Sequence, residues 1–351
     1  MEEAENDMPP LVFDEARLRE VVDRVVDRTF GMDFNWDWPA GVAFHGVCEA
    51  YEATGDSSYM ERLRAWVDEQ LEDGLPKLSV NAVSVGHALI SLYQFTEEQK
   101  YLDIASAMAE YLTHEAPRFG DGIFQHTVNS VKDVFPEQAW VDTMMMAGYF
   151  LLRMGDLLGR DDYFADGLRQ YHGHEELLQD ATTNLYYHGW DNVAKNHMSG
   201  IFWARGNSWA SYTMARALEL VRVQHPSYMI IDCSLRDQLS ALARLQSADG
   251  LWHTVLTDPT SYTETSGSAG IAAGLLSRGN LYNRQTQRAL DGVLSRIADN
   301  GTVLGVSAGT AVMDDAQGYK DVPAKRIQGW GQGLTLAFLA MVLRRGRQSD
   351  W

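Results

Sequence analysis

Helical periodicity dominates the arrangement of hydrophobic and polar residues along this chain. Three segments share one form: an apolar helix ends, a short polar turn follows, and a second helix begins with a tyrosine at its first buried position. These tyrosines are Tyr59, Tyr101 and Tyr163, and their spacing is irregular. The pattern predicts a helical hairpin that is used repeatedly, with insertions in the loops between hairpins.

Six helices are unusually rich in glycine, alanine and apolar residues, which is typical of helices covered on both faces. They are expected at about 40–54, 82–95, 141–158, 207–222, 264–277 and 328–344. All but the last are followed by a more amphipathic helix, which suits an outer position. The amphipathic segment FDEARLREVVDRVVDRTF has no partner before it and can close the ring against the last inner helix. The sequence therefore predicts an all-α fold, an (α/α)6 barrel of six helical hairpins.

The domain organisation follows from this repeat. The 351 residues exceed the usual length of one domain, but closed barrels are a known exception. We therefore expect a single barrel domain over residues 1–351, with residues 1–12 forming a flexible acidic tail.

The loops that lead from outer to inner helices carry the unusual side chains. Because each loop precedes an inner helix, all of them should open at one end of the barrel. Aromatic rings, histidines and isolated carboxylates at one mouth indicate a polar cleft with stacking walls, as a sugar requires. The tryptophans and histidines in these loops are Trp36, Trp38, Trp140, Trp190, Trp203, Trp209, Trp252, His126, His188, His197 and His253.

Composition excludes several classes of partner. The net charge of −19 repels nucleic acid phosphates and anionic lipid, and no basic stripe offsets it. No apolar run is long enough to span a bilayer, and no secretory signal is visible at the start, so we expect a cytoplasmic protein. No metal-ligand spacing, phosphate loop or dinucleotide fingerprint occurs, so no metal and no cofactor are expected.

Asp142 is the most informative single residue. It lies two positions after Trp140 and just before three methionines at the predicted start of the third inner helix. A helix cap or a first-turn acid is one interpretation. The other is a catalytic group, because a partly desolvated carboxyl has a raised pKa and can act as a general acid.

Two further segments carry candidate binding residues. His188 and Trp190 lie in LYYHGWD, where a packed turn is the plain alternative. FWARGNSW places Arg205 among aromatic residues at the start of the fourth inner helix, where a guanidinium could hold a substrate carboxylate or pair with an outer-helix acid. Glu264 is expected to cap the fifth inner helix, and Trp330 to lie either in the core or in the pocket wall.

These motifs carry a family resemblance. QAWVDTMMMAGYFL, LYYHGWD and FWARGNSW, in this order and at these spacings, resemble the unsaturated rhamnogalacturonyl hydrolases of glycoside hydrolase family 105, which are related to the unsaturated glucuronyl hydrolases of family 88. The similarity extends from the first tryptophan loop to the last inner helix and includes GLWHTVL and YTETSGSA. The family's fold is the six-hairpin α/α barrel.

The resemblance implies a substrate and a mechanism. Such enzymes act on oligosaccharides that a lyase has left with a 4,5-unsaturated uronic acid at the non-reducing end. An acid protonates C4, water adds at C5, and the resulting hemiketal opens and releases the remaining chain. The resemblance makes Asp142 the general acid and base, and His188, Arg205 and Trp209 the substrate contacts. Further candidate binding residues in the mouth loops are Trp38, Trp140, Trp190, His126 and Asn207.

One departure from the family pattern concerns the second inner helix. The family often has a second aspartate at its start, where SVNAVSVGHAL offers Asn81 and His87. We expect Asn81 to take that place as a neutral hydrogen-bonding group that assists Asp142.

Three alternatives stay open at this stage. The sugar could be glucuronic rather than galacturonic, since the two differ at C4, a centre that the lyase destroys. A sugar epimerase would need two histidines at the mouth, such as His188 and His253. A non-catalytic helical scaffold would bind a protein partner. The sequence does not indicate the oligomeric state.

Overall fold

The computed structural model describes residues 9–72, 74–75, 77–130 and 134–348. In this part of the chain, six inner helices form a closed ring in which each contacts the next and the last contacts the first. The inner helices are α2 (Trp38–Thr54), α4 (Gly86–Thr96), α6 (Tyr149–Leu158), α8 (Ala204–Leu220), α10 (Thr265–Leu276) and α13 (Gly329–Gln348). The outer helices are α1 (Glu15–Phe30), α3 (Ser57–Leu71), α5 (Gln99–His114), α7 (Asp161–Leu178), α9 (Pro226–Arg244) and α11 (Asn283–Ser295). The predicted (α/α)6 barrel is thus confirmed.

Burial separates the two sets of helices. Nearly every residue of α10 is buried, whereas α1 buries one stripe of leucine, valine and threonine. As predicted, α1 packs against α13, and it also contacts α2. Of the expected acidic tail, residues 1–8 lie outside the described residues. Residues 9–12 are held by α11, because Asn283 donates to the carbonyl of Pro9 and Gln287 accepts from the amide of Val12.

The predicted hairpin tyrosines link successive outer helices. Tyr101 on α5 donates a hydrogen bond of 2.9 Å to Asp68 on α3. Tyr59 on α3 bonds Asp23 on α1, and Tyr163 on α7 bonds Glu110 on α5. Each ring is buried while its hydroxyl reaches the preceding outer helix, so the repeated tyrosine fixes the spacing of the outer wall.

The closest contact in the ring lies between α2 and α13. A Cβ atom added at Gly46 would lie 2.2 Å from the carbonyl oxygen of Gly333, and one added at Gly333 would lie 2.1 Å from that of Val42. Glycine is required at both positions because the two backbones touch. No described helix is long and apolar enough to cross a bilayer.

Short strands and bridges connect the loops at one end of the barrel. β1 (Arg118–Phe119) pairs antiparallel with β2 (Ile123–Phe124), and β3 (Gln138–Trp140) with β4 (Gly189–Asp191). Isolated bridges join Trp203 to Val255 and His253 to Thr263. The loops before α6, α8 and α10 are therefore tied together at a common mouth. A short helix, α12 (Ala316–Asp321), lies in the loop that precedes α13.

Candidate active site

The backbone around Asp142 changes conformation three times between Trp140 and Tyr149. β3 ends at Trp140, a turn follows, and a π-helical turn over Met144–Gly148 leads into α6 at Tyr149. The α-helix therefore starts later than the predicted residue 141. The carbonyl of Asp142 accepts hydrogen bonds from the amides of Met145 and Met146, at 3.0 and 2.9 Å. Short π-helical turns are frequent at functional sites.

The Asp142 side chain does not cap this turn. Thr143 occupies the cap position without a side-chain hydrogen bond, and Asp142 Oδ2 has no hydrogen-bond partner among the described residues. The side chain is 14 % exposed. A carboxylate that is buried, uncapped and open at one edge fits the catalytic interpretation better than the capping one.

His188 faces this carboxylate. The pairing of Trp140 with Gly189 and a hydrogen bond of 3.0 Å from the amide of Val141 to the carbonyl of His188 fix the two segments side by side. Nε2 of His188 lies 3.4 Å from Oδ2 of Asp142, and the imidazole is completely enclosed. Nε2 likewise has no regular hydrogen bond within the described part of the chain. Catalytic hydrogen bonds are often long before substrate binds and tighten in the complex.

The electrostatics of the pair differ from the sequence prediction. Burial raises the pKa of Asp142. The His188 imidazole, together with the nearby His126 and Arg205, lowers this pKa by more than burial raises it, so the net pKa lies below its ordinary value. The expected upward shift is therefore wrong for this state of the protein. Burial lowers the pKa of His188, opposed by Asp142. The pair accordingly rests as a carboxylate beside a neutral imidazole at neutral pH.

Aromatic rings enclose the pair. His126 stacks on Trp140 with ring centroids 4.2 Å apart and planes 9° apart. His188 contacts the edge of Trp140 at 5.5 Å and the indole of Trp203 at 4.3 Å. Burial lowers the pKa of His126 to about 4, so this stacked imidazole is neutral near pH 7. The predicted grouping of His126, Trp140 and His188 near Asp142 is present in the structure.

A cavity of about 460 Å³ is lined in part by Trp140. The β3–β4 ribbon, the loop that follows it and the segment before α12 each contribute both polar and apolar side chains to its wall. The lining residues are Phe135, Gln138, Trp140, Asp191, Asn196, Met198, Ser199, Val312, Met313 and Asp314. Its size and mixture of aromatic and polar groups suit a sugar ring.

Two other cavities are informative by position. One of about 340 Å³ lies beyond Phe135 and is bordered by His126 and Thr127. A larger one, about 730 Å³, is lined by residues from the far ends of α6 and α8, including Asp156 and Leu220. This larger cavity lies at the end of the barrel opposite Asp142 and contains none of the predicted site residues.

The Arg205 guanidinium is already bonded to protein groups, whereas a receptor for a substrate anion was expected to be free. The side chain is 1 % exposed, and Nη1 lies 3.4 Å from Glu264 Oε1. Nη1 also donates to Ser307, while Nη2 donates to the carbonyl of Ala308 and the hydroxyl of Thr310. The guanidinium therefore lies behind the pocket wall and holds the loop before α13. Direct contact with a substrate carboxylate would require Arg205 to exchange these partners.

Trp38 and Trp330 form a stacked pair beside Arg205. Their ring centroids are 4.3 Å apart, and the Arg205 guanidinium lies 5.3 Å from the Trp330 ring. Trp38 is half-buried, and Trp330 donates to the carbonyl of Ser307. Trp330 thus belongs to the wall that supports the mouth, with Trp38 as its more exposed partner.

Three predicted binding residues are placed in supporting positions. Trp209 is fully buried in the main core on α8. Asn207 is also fully buried, and its amide bonds the backbone of Tyr186 and of Trp203. Trp190 pairs with Ala139 on the face of the ribbon opposite Trp140, where it packs against a small second core. The sequence located these residues in mouth loops, but strand alternation and helix phase turn them inward.

Asn81 precedes a 3₁₀ turn over Ala82–Val85 that leads into α4. Its backbone amide donates to the carbonyl of Thr127, and its side-chain Oδ1 is buried without a hydrogen-bond partner in the described ranges. Such an atom has capacity for a polar ligand. The neutral assisting role assigned to Asn81 stays a prediction.

His253 does not join His188. Its Nδ1 is tied to the carbonyl of Ser261, and the rings that contact His188 in the described structure are Trp140, Trp203 and Tyr319. The two-histidine epimerase arrangement is therefore absent from the described residues. Nor do three or more His, Cys, Asp or Glu side chains group there in a way that could hold a metal ion.

Sequence reasoning missed Tyr319 and undervalued Glu264. Tyr319 on α12 is fully buried, and its hydroxyl lies 2.7 Å from Nδ1 of His188. Its position in the loop before the last inner helix was the signal, because every such loop opens at the mouth. Glu264 caps α10 as predicted, by accepting from the amide of Gly267, and it is also the counter-ion of Arg205.

Comparison with known proteins identifies the family. The model of Glycosyl Hydrolase Family 88 matches residues 15–346. The chain is 62% identical over 337 residues to the unsaturated rhamnogalacturonyl hydrolase YesR of Bacillus subtilis, covering 96% of this chain and 98% of that protein. It is 25% identical over 309 residues to an unsaturated 3S-rhamnoglycuronyl hydrolase of Formosa agariphila, covering 81% of each.

A solved structure gives the same picture. A possible member of glycoside hydrolase family 105 from Salmonella enterica superposes with a TM-score of 0.91 at 27% identity, over 96% of both chains. The resemblance inferred from the three motifs is thereby confirmed, as is the prediction of a glycoside hydrolase. The protein with the Asp142–His188 pair at its barrel mouth belongs to Glycosyl Hydrolase Family 88.

Proposed function

We propose that this enzyme releases the 4,5-unsaturated galacturonic acid from the non-reducing end of lyase-generated rhamnogalacturonan oligosaccharides. The observation that carries the proposal is the 62% identity, over 96% of the chain, to an unsaturated rhamnogalacturonyl hydrolase. The uncapped Asp142 carboxylate supports it, because hydration of a vinyl ether needs one group that can give and then take a proton.

Asp142 performs both proton transfers in this proposal. The protonated carboxyl gives its proton to C4, and positive charge develops at C5 and the ring oxygen. Water then attacks C5 and loses a proton to the Asp142 carboxylate, which restores the carboxyl. The hemiketal opens, and the C1 hemiacetal releases the leaving sugar with its glycosidic oxygen intact.

The low pKa of Asp142 in the resting enzyme fits this cycle when substrate binding is considered. The unsaturated uronate brings a second negative charge to the mouth, and a neighbouring like charge raises the pKa of a carboxyl group. Substrate binding therefore favours the protonated form of Asp142, which the free enzyme disfavours. The neutral His188 beside it can hydrogen-bond the carboxylate after the proton has left.

The cavity beside Trp140 is assigned to the sugar that leaves. Trp140 contacts His188 and also lines the cavity, so a single indole ring separates the cavity from the catalytic pair. Gln138, Asp191 and Asn196 supply hydrogen-bonding groups there, and Met198 and Val312 supply apolar surface. Such a mixed wall suits a deoxy sugar that presents a methyl group as well as hydroxyls.

Asn81 is proposed to orient water or the substrate through its free Oδ1. Two variants show whether the Asn81 side-chain oxygen acts as a hydrogen-bond acceptor or whether the side chain only fills space. Asn81→Ala should lower kcat about tenfold, which corresponds to the loss of one neutral hydrogen bond of about 1.4 kcal/mol. Asn81→Asp should retain more activity than Asn81→Ala, since it keeps an oxygen acceptor in the same place.

Hydration is tested most sharply by carrying out the reaction in D₂O. The mechanism places one solvent-derived deuterium on C4 of the released sugar, on a single face, and destroys the double bond. Ordinary displacement at C1 would release an unsaturated sugar whose ring opens to an enol, and this enol would take up deuterium on both faces of C4. Proton and deuterium NMR of the product distinguish these results, and the second would overturn the proposal.

A further inference from the structure

We propose that Tyr319 is a positioning residue that fixes the His188 imidazole so that its Nε2–H points at Asp142. The geometry joins three buried groups from three separate segments of the chain. The Tyr319 hydroxyl lies 2.7 Å from Nδ1 of His188, and Nε2 of the same ring lies 3.4 Å from Asp142 Oδ2. The proposal deepens the proposed function, on which its kinetic test rests.

The direction of each hydrogen bond follows from what each atom can do. An ionised carboxylate only accepts, so Nε2 must carry the imidazole hydrogen. A neutral imidazole has one hydrogen, which leaves Nδ1 as an acceptor for the Tyr319 hydroxyl. The Tyr319 oxygen can then accept from the backbone amide of Met313 at 3.4 Å. One consistent set of donors therefore runs from Met313 through Tyr319 and His188 to Asp142.

Tyr319 is itself held rigidly. It lies on α12, which Asp315 caps by accepting from the amide of Gly318 at 2.9 Å. The phenol is fully buried, and its ring lies 5.7 Å from His188 and 6.4 Å from Trp203. Burial raises the pKa of Tyr319 to about 12, so the hydroxyl keeps its proton and can donate it in a hydrogen bond.

The segment that carries Tyr319 is anchored at both ends. We call residues 307–322 the strap. At its start, Arg205 donates to Ala308 and Thr310. At its end, the hydroxyl of Tyr262 donates to the carbonyl of Val322 at 3.0 Å, and Lys320 pairs with Asp258. Between these anchors, the Tyr319 hydroxyl contacts the catalytic pair through His188.

This arrangement gives Arg205 and the strap a role in the reaction without contact with the reacting atoms. A residue that orients a histidine decides which nitrogen carries the proton, and a wrong tautomer would aim a lone pair at the Asp142 carboxylate. The other titratable or charged groups that face the pair are His126 from the preceding loop, His174 from α7 and Arg205 from α8. Within the described part of the chain, it is the Tyr319 hydroxyl that lies within hydrogen-bonding distance of Nδ1.

The direct test is ¹⁵N NMR of histidine-labelled wild-type protein near pH 7, with the His188 signals assigned by their loss in His188→Gln. We expect a neutral ring protonated at Nε2. A ring protonated at Nδ1 would overturn the proposal. This measurement needs no substrate, so its outcome is independent of whether the proposed hydrolase activity is correct.

The kinetic test compares Tyr319→Phe with Tyr262→Phe, which removes a hydroxyl that anchors the end of the strap at Val322 and does not contact His188. Tyr319→Phe should lower kcat about tenfold or more with little change in KM. It should also move the alkaline limb of the kcat profile upward by about one pH unit, because the carboxylate loses a fixed donor. Tyr262→Phe should leave that limb in place. Identical pH profiles for the two variants would show that Tyr319 only packs, and would overturn the proposal.

Discussion

The Arg205 guanidinium lies 3.4 Å from the Glu264 carboxylate, and neither side chain is more than 1 % exposed. Burying two charges is favourable only when each is paired and hydrogen-bonded. Here Ser307 donates its amide to Glu264 and accepts from Arg205, so one serine of the strap completes the pair. The pair therefore couples the start of α10 to the strap that carries Tyr319.

Breaking this pair should destabilise the protein strongly. Glu264→Gln leaves the Arg205 charge buried without a counter-ion, and we expect a loss of about 3–5 kcal/mol in the free energy of unfolding. Urea unfolding of the two proteins measures the difference. Replacing both residues, as Arg205→Met with Glu264→Gln, should cost less than the sum of the two single changes. Additive losses would mean that the two charges do not depend on each other.

Trp140 and Trp190 offer a matched pair on opposite faces of one ribbon. Trp140→Ala removes a wall of the 460 Å³ cavity and the stacking partner of His126. We expect KM to rise about tenfold, which corresponds to about 1.4 kcal/mol of lost binding. Trp190→Ala should instead lower the free energy of unfolding by about 2 kcal/mol, less than for a fully buried ring, and leave KM nearly unchanged, because the half-buried Trp190 packs on Ala139 away from the cavity. If Trp190→Ala raised KM and Trp140→Ala changed only the free energy of unfolding, the substrate would bind on the Trp190 face of the ribbon, and the assignment of the cavity to the substrate would be wrong.

Acid should destabilise the protein well before its carboxylates titrate. Burial lowers the pKa of His45 to about 3, that of His126 and of His174 to about 4, and those of His87 and His188 below the ordinary value. Between about pH 6.5 and 4 the unfolded chain binds protons at these positions and the folded chain does not, so stability falls as the pH falls. Each histidine contributes up to about 1.4 kcal/mol per pH unit.

Unfolding free energies at pH 7, 6 and 5 measure this slope. His174→Gln removes one buried histidine and should make the slope shallower by about one proton, provided that the variant folds. A free energy of unfolding that is constant from pH 7 to pH 5 would contradict the buried neutral histidines.

The helical pattern was sufficient to predict the barrel, and particular residues show why. Tyr59, Tyr101 and Tyr163 repeat at equivalent positions because each outer helix must bond the one before it. The glycines at 46 and 333 allow α2 and α13 to touch and close the ring. Periodicity and small residues are local properties of a sequence, so the architecture could be inferred from them.

The site was predictable only in part, because its details depend on contacts between distant segments. Asp142, His188, His126 and Trp140 lie in motifs or loops that identify the mouth. The sequence could not indicate that Glu264 neutralises Arg205 from 59 residues away, or that Tyr319 meets His188 across 131 residues. The predicted direction of the Asp142 pKa shift was wrong for the same reason. The apolar neighbours in the sequence indicate burial, which raises the pKa, but they do not indicate the facing His188 imidazole, which lowers it.

The role of Asp142 is tested most directly by the ultraviolet absorbance of the conjugated unsaturated uronate during reaction with lyase-treated rhamnogalacturonan, with Asp142→Asn as the matched variant. Wild-type protein should remove the absorbance, and the variant should be slower by about 10³-fold or more, since it cannot transfer a proton to C4. Absorbance that persists with folded wild-type protein, or that disappears equally fast with Asp142→Asn, would contradict it.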